Sequence, residues 1–257
     1  MSPSRTIAIV RHELRLMGRD PLPILILVVF PLILMSFLKP AFRLALVANG
    51  YPHANGAEQV VPGQAVLNGF YIVGMTSFAF FSEYGWNTWE RLRASQANSA
   101  EIIAGKAIPR VAASVLQFAV VFTIGIPVLQ LHVRGPLVAL VPLVLGFALC
   151  LVLLGVLVTA LCHTLQQANA VAFGGLVLFG AIGGALVPIN VLPAWARSVA
   201  PSTPTYWAMR GFRSIILTGD GLSGVLLPTA ILLAMSGTFA VISLAKFRFG
   251  DAKTSNV

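Results

Sequence analysis

The chain has 257 residues, of which 57% are hydrophobic and only 10% are charged, and its mean hydropathy is +0.87. Soluble domains contain about 25% charged residues, and charges become scarce where lipid is the solvent because each one costs several kcal/mol there. At roughly 20 residues per span, the length accommodates about six transmembrane helices. The net charge of +9 comes mostly from basic residues beside apolar segments, a pattern that indicates lipid headgroup contact and not a nucleic-acid partner.

An amphipathic segment precedes the first apolar run. Ile7, Val10, Leu14 and Met17 recur at helical spacing within residues 4–18, while arginines occupy another side. This pattern predicts an interfacial helix that lies along the membrane surface. The alternative is an ordinary charged tail before the first span.

Six apolar runs then alternate with polar segments, which predicts an all-α integral membrane fold with six transmembrane helices. Residues 39–63 contain Asn-Gly turn signals and are predicted to form an external loop. Residues 188–221 are too polar and too rich in proline to span, and are predicted to form re-entrant helices at the outer face. The predicted spans are about 22–38, 64–82, 107–131, 136–162, 169–187 and 222–245.

The polar segment 83–106 follows the second predicted span. Asn98 is followed three residues later by Glu101, the spacing of a capping box, and this predicts that a second short helix of the segment begins there.

The distribution of basic residues predicts that both termini lie in the cytoplasm, because the predicted cytoplasmic segments carry most of them. Six of the 17 basic residues remain outside and oppose this orientation. They are Lys39, Arg43, Arg134, Arg197, Arg210 and Arg213.

Several kinds of chemistry are not visible in the sequence. The predicted spans hold no Asp, Glu, Lys or Arg near their centres, which disfavours a secondary transporter that binds a coupling ion at the membrane midplane. Gly105-Lys106 lacks the earlier glycine of a phosphate-binding loop. We therefore predict no catalytic residue, no metal ligand and no enzyme activity of the chain by itself.

The polar segment 83–106 also resembles the loop after the second span of type-2 ABC transporter permeases. The resemblance rests on Glu90-Arg91-Leu92 and, further on, Gly105-Lys106. Asn87 and Gln96 stand where that family usually has Gly and Pro. Similar stretches at residues 19–21, with Pro31, and at residues 188–219 extend the resemblance over nearly the whole chain.

The resemblance is strongest to antibiotic and multidrug exporter permeases, with lipid-linked polysaccharide exporters next. It implies a membrane subunit in the bacterial cytoplasmic membrane, paired with an identical or related permease and bound to two copies of a separate ATPase subunit. ATP and Mg would bind to that ATPase and no cofactor to this chain. A non-transporting membrane scaffold is the alternative of another class.

In that family the segment contains a coupling helix, which transmits the motion of the ATPase. The resemblance assigns this role to Thr88, Trp89, Glu90, Arg91, Leu92 and Arg93. The alternative is that these charges form only a solvated loop surface.

Two further groups of residues are candidates for functional contacts. Phe70, Tyr71, Phe78 and Phe81 of the second span are predicted to line a substrate pathway together with the glycine-rich fifth span. Aromatic residues are common in spans, so lipid-facing or packing roles are the alternative. Gly180 and Gly184 have the GxxxG spacing of helix contacts, although this spacing is frequent in any glycine-rich span.

Overall fold

The computed structural model describes residues 3–19, 22–48, 50–86, 88 and 98–246. Within these ranges every regular element is helical. The α-helices are α1 (Pro3–Arg19), α2 (Leu22–Ala48), α3 (Ala57–Gly69), α4 (Tyr71–Gly85), α5 (Ser99–Val128), α6 (Leu140–Leu161), α7 (Leu165–Ile182), α8 (Ala194–Val199), α9 (Pro204–Arg213) and α10 (Leu222–Lys246).

Six stretches of helix in the described part of the chain are long and apolar enough to cross a membrane, which confirms the predicted number. A hydrocarbon layer of about 30 Å requires about 20 helical residues. The six stretches are Val29–Ala48, Ala57–Tyr84, Ala100–Val128, Leu137–Leu161, Leu165–Ile182 and Leu222–Lys246.

The connection between the first two spans is much shorter than predicted. α2 continues to Ala48 and α3 begins at Ala57, so most of the predicted loop 39–63 is helical. The charge of Lys39 does not end the helix because its Nζ donates a hydrogen bond to the Leu129 carbonyl at the end of α5, at 2.7 Å. Gly56 has a φ of 96° and lies so close to the α2 backbone that a Cβ would collide with it, which explains the tight return of the chain.

The second span consists of two helices, α3 and α4, that are separated at Phe70. Every residue of α3 is buried, and this includes the polar Gln64 and Asn68, which hydrophobicity alone would have placed near a surface. The Asn68 Nδ2 donates to the Gln64 carbonyl at 2.8 Å. Because this polar group is satisfied within the helix, α3 can lie in the interior.

The third span begins earlier than predicted. The Asn98 Oδ1 accepts a hydrogen bond from the Glu101 amide at 2.8 Å, and the Glu101 carboxylate accepts one from the Asn98 amide at 3.1 Å. The capping box is therefore confirmed. The helix that it starts is not a separate short helix, however, but the first part of α5, which continues to Val128.

The core of the bundle surrounds α6, which packs against α4, α5, α9 and α10. Rings from three helices meet there: Phe118 of α5 lies with its ring centroid 5.9 Å from those of Phe147 of α6 and Phe212 of α9. Aromatic pairs at this separation add to the stability gained from burial. In contrast, α2, α7 and α10 keep large exposed apolar surfaces, for example at Phe37 and Phe173, as expected for helices that face lipid or another subunit.

Residues 188–221 form the short helices α8 and α9 and a π-helical turn, Ser214–Thr218. The Thr203 side chain begins α9 by accepting from the Tyr206 amide at 3.3 Å. Short helices in this segment agree with the prediction. Their location at the outer face of a membrane, like the interfacial location of α1, stays a prediction.

Candidate functional site

A buried ionic cluster joins α1 to the end of α4 and the beginning of α5. It consists of Glu13, Glu83, Lys106 and Arg110, and is called the ionic cluster below. The Lys106 Nζ lies 2.6 Å from a Glu13 oxygen and 2.7 Å from a Glu83 oxygen, and Arg110 lies 2.7 Å from the second Glu13 oxygen. The Lys106 and Glu13 side chains are only 1% and 4% exposed. Three segments that are distant in sequence are thus held together by charge.

The local sequence of α5 explains how the cluster forms. Lys106 and Arg110 are one helical turn apart, so both face α1. The Arg110 NH1 also donates to the Lys106 carbonyl at 2.7 Å. Gly105 lets α1 approach closely, because a Cβ there would lie 2.6 Å from the Ile9 Cγ2. The Gly105-Lys106 pair therefore combines a close helix contact with an inward-facing cation.

The charges of the ionic cluster balance, since two carboxylates face two cations. Burial raises the pKa of Glu13, but attraction to Lys106 and Arg110 and their hydrogen bonds outweigh it, so that the pKa lies below its ordinary value. Glu13 is therefore charged at neutral pH. Further contacts stabilise the Lys106 ammonium, which donates to the Ala79 carbonyl at 2.9 Å and lies 5.6 Å from the centre of the Phe80 ring.

The ionic cluster also contacts the segment to which the resemblance assigns coupling. The Glu83 carboxylate, which binds Lys106, accepts a further hydrogen bond from the Thr88 hydroxyl. The Thr88 amide donates to the Glu83 carbonyl at 2.9 Å. Of the predicted coupling residues, only Thr88 is described; the other five, Trp89, Glu90, Arg91, Leu92 and Arg93, lie outside the described residues.

Both ends of this segment are therefore anchored. Thr88 is bound to Glu83 at one end, and the Asn98 cap starts α5 at the other. The residues that anchor the segment on either side therefore belong to α4 and the start of α5, which the ionic cluster joins to α1.

The predicted pathway aromatics do not share one surface. Phe70 and Phe81 are buried, whereas Tyr71 and Phe78 are 47% and 51% exposed. Helical geometry explains the difference, because Tyr71 and Phe78 lie on one side of α4, whereas Phe81 and Phe70, which directly precedes the helix, lie on another. Only Phe70 of the four lines a described cavity between α4, α6 and α7.

This cavity has a volume of about 350 Å³ and almost purely apolar walls. Phe70 and Phe179 form one part of it, with their ring centroids 6.0 Å apart. Gly174 and Gly175 form another part, and their lack of side chains leaves the space open. An apolar molecule or acyl chain fits such a surface.

The predicted glycine pair is divided by the end of α7. Gly180 lies within the helix, and its backbone contacts the Leu67 side chain of α3 so closely that a Cβ would collide. Gly184 follows the helix in a left-handed turn with a φ of 84°. The two glycines therefore do not form a single helical contact face.

The ionic cluster was not among the residues predicted from sequence. Two features of the sequence could have indicated it. One is a carboxylate, Glu13, among the arginines of an amphipathic segment, and the other is a pair of cations, Lys106 and Arg110, near the start of an apolar run. The pairing depends on tertiary contact between α1 and α5. As for metals, no group of three or more His, Cys, Asp and Glu residues in the described ranges is arranged to hold an ion.

These features define a multi-pass, all-helical membrane protein. Residues 4–217 match the ABC-2 type transporter family, and the chain belongs to this family. Its members are membrane subunits that are not catalytic themselves and generally work with ABC ATPase subunits.

Two curated relatives show where the chain stands within the family. It is 26% identical over 212 residues to the probable multidrug ABC transporter permease YbhR of Escherichia coli strain K12, a match that covers 82% of this chain and 58% of that protein. It is 32% identical over 164 residues to the linearmycin resistance permease protein LnrN of Bacillus subtilis strain 168, which covers 61% of this chain and 40% of that protein. The matched regions thus span about half the length of these relatives.

Proposed function

We propose that the chain is the permease subunit of an ATP-binding-cassette exporter in a bacterial cytoplasmic membrane. Its substrate is a hydrophobic or amphipathic molecule, such as a drug, an antibiotic or a lipid-like compound. Family membership and the multidrug and linearmycin permeases among its relatives support this proposal. Two copies of a separate subunit bind ATP and Mg, and a second permease, identical or related, completes the complex.

The observation that carries the proposal is the ionic cluster at the base of the coupling segment. Removing one partner from a buried ion pair costs about 3–5 kcal/mol, because the other charge is left uncompensated. α1, α4 and α5 therefore move as one unit when the ATPase pushes on residues 89–97. Motion would pass from Thr88 through Glu83 to Lys106 and Glu13, at the contacts given above.

The substrate would travel along the apolar cavity beside Phe70. Its walls come from α4 and α6 on one side and the glycine-rich α7 on the other. A shift of α4 relative to α7 changes the width of this space, and α4 is the helix that carries Glu83. The same helix, α4, thus forms part of the cavity wall and carries Glu83, the residue that contacts the coupling segment.

In this proposal α1 and both termini lie on the cytoplasmic side. Two apolar side chains of α1 are exposed, Ile7 to 63% and Leu14 to 50%. Arg11 and Arg15 of the same helix are exposed as well. An apolar and a basic surface on one helix suit the boundary between lipid and water. The short helices α8 and α9 then lie at the outer face.

Charge reversal at Glu90 and Arg91 tests the coupling role. The full complex would be reconstituted in vesicles, and ATP hydrolysis would be measured with and without an amphipathic substrate. We expect substrate stimulation to be lost and transport to fall at least about tenfold, which corresponds to about 1.4 kcal/mol. Reversal at Arg197, an exposed residue of α8, is the matched control and should leave both unchanged. Unaltered assembly and stimulation in the Glu90 and Arg91 variants would contradict the role.

A further inference from the structure

A second polar region lies at the end of the bundle opposite α1. A cavity of about 310 Å³ opens there between α9, the π-helical turn and the connection after α2. Its polar lining includes Tyr51, Tyr206, Arg210 and Arg213, and it is called the arginine cavity below. The volume is at the lower end of the range of ligand pockets, about 300–1,000 Å³.

Within the described part of the chain, Arg213 forms no ion pair with a carboxylate. Its Nε and NH2 donate to the Gln59 Oε1 at 3.3 and 3.1 Å, and NH2 also approaches the Gly184 carbonyl at 3.4 Å. Among the ion pairs that the described residues form, none includes Arg213. Neutral acceptors orient the guanidinium but leave its charge unbalanced, which is unfavourable for a largely buried group.

The acidic residues near the arginine cavity already accept hydrogen bonds from other groups. In the predicted topology, the segments at this end contain two described acidic residues, Glu58 and Asp220, and six basic ones. Glu58 accepts hydrogen bonds from the amides of Asn55 and Gly56, each at 3.1 Å. Asp220 lines the arginine cavity, but its carboxylate accepts from the hydroxyls of Ser214 and Thr218 at 2.6 and 2.7 Å. This end of the protein therefore has a marked excess of positive charge.

Arg210 is the exposed cation of the cavity. Its guanidinium lies 5.3 Å from the centre of the Trp207 ring, and the Trp207 indole is fixed by a hydrogen bond to the Pro201 carbonyl at 2.8 Å. Stacking on an aromatic ring orients an arginine for planar recognition of an oxyanion. The cavity therefore has one deep and one exposed guanidinium, between apolar walls that include Met209 and Leu217.

We propose that the arginine cavity binds a phosphate-type anion, with Arg213 and Arg210 as its ligands. Arginine pairs with phosphate oxygens through parallel hydrogen bonds, and such charge-assisted bonds are about twice as strong as neutral ones. The apolar walls accept the carbon atoms attached to the anion. The headgroup of a surrounding phospholipid or free phosphate can supply this chemistry. The proposal is independent of the export function, since it requires neither an ATPase nor transport.

The test uses the purified full chain in a non-ionic detergent. Binding of dihexanoyl phosphatidylglycerol, dihexanoyl phosphatidylcholine and inorganic phosphate would be titrated by microscale thermophoresis. We expect phosphatidylglycerol to bind at least about tenfold more tightly than phosphatidylcholine. Arg210→Gln and Arg213→Gln should each weaken binding about tenfold. Arg197→Gln, in an exposed position outside the cavity, should not change it, and Asp220→Asn should strengthen it by removing a negative charge.

Each outcome decides between binding and a purely structural role of Arg213. Arg213→Gln removes hydrogen bonds to Gln59, so thermal unfolding of the free chain would be followed in parallel. Arg210 is exposed, and its substitution tests the cavity even where the Arg213 variant does not fold. Binding of inorganic phosphate with the same arginine dependence would support the anion site and identify free phosphate as a source. Absence of binding by phosphatidylglycerol and inorganic phosphate alike, or binding unchanged in the Arg210 variant, would overturn the proposal.

Discussion

Replacement of Glu13 by glutamine is the most direct perturbation of the ionic cluster. The side chain is 4% exposed and contacts two cations, Lys106 at 2.6 Å and Arg110 at 2.7 Å. Glutamine has almost the same shape but carries no charge. The substitution therefore removes a charge from the cluster without leaving a cavity.

The expected loss of stability depends on which charges of the ionic cluster keep a partner after the substitution. Glu83 still neutralises Lys106, so Arg110 becomes the uncompensated charge. Hydrogen bonds to charged groups contribute about 1.5–3 kcal/mol, and removing one partner of a buried pair costs about 3–5 kcal/mol. Because one of the two cations keeps its partner, we expect a loss of about 3 kcal/mol in the free energy of unfolding. The unfolded fraction would rise about 100-fold.

The assay is reversible unfolding of the full chain in detergent, with a double-mutant cycle. Arg110→Met in the Glu13→Gln background removes the uncompensated cation, so the double variant should lose less than the sum of the single variants. The pH dependence gives a second readout. Since the pKa of Glu13 is below its ordinary value of 4.5, its contribution is complete above that pH and disappears as the pH falls below it. A Glu13→Gln loss under about 0.5 kcal/mol that adds to the Arg110→Met loss would refute the reasoning.

Three further predictions concern other parts of the protein. Gly105→Ala should destabilise the contact between α1 and α5 by about 1–3 kcal/mol in thermal unfolding, although alanine favours helix; Ile9→Gly, which removes the Cβ and Cγ2 atoms that the new methyl group would meet, should cost less stability in the Gly105→Ala protein than in the original one, and Gly174→Ala, which meets no neighbour, should be tolerated. A cysteine at position 70, in a chain without its native cysteines, should be protected from labelling by an amphipathic substrate; labelling by lipid-soluble reagents alone would contradict a pathway. Arg197→Cys should react with an impermeant reagent added outside cells, and reaction only from the cytoplasmic side would reverse the proposed orientation.

The length of the apolar runs was sufficient to predict the number of spans, and the capping box was sufficient to predict that a helix begins after Asn98, although not that it continues into the third span. Both depend on local properties, because apolar run length determines whether a helix can cross a membrane and a capping box forms within one turn. The limits of the first span were not predictable in the same way. Lys39 indicates the end of a span unless the carbonyl of Leu129 is known to accept a hydrogen bond from its ammonium group.

The candidate site was only partly predictable for a similar reason. Family resemblance pointed to the segment after α4, and the structure shows what anchors it. The partners Glu13 and Lys106 are far apart in sequence. The sequence around each residue alone indicates only a charged side chain next to an apolar segment. Only the packing of α1 on α5, permitted by Gly105, brings them together.

The central claim is that this chain works with a separate ATPase. The most direct measurement is purification of the tagged chain from the membranes of its own cells in a mild detergent, followed by mass spectrometry and vanadate-sensitive ATP hydrolysis. We predict that an ABC ATPase subunit co-purifies in stoichiometric amount and that an amphipathic substrate stimulates the hydrolysis. A chain that purifies free of any ATPase, and that moves substrate in vesicles without ATP, would contradict the account.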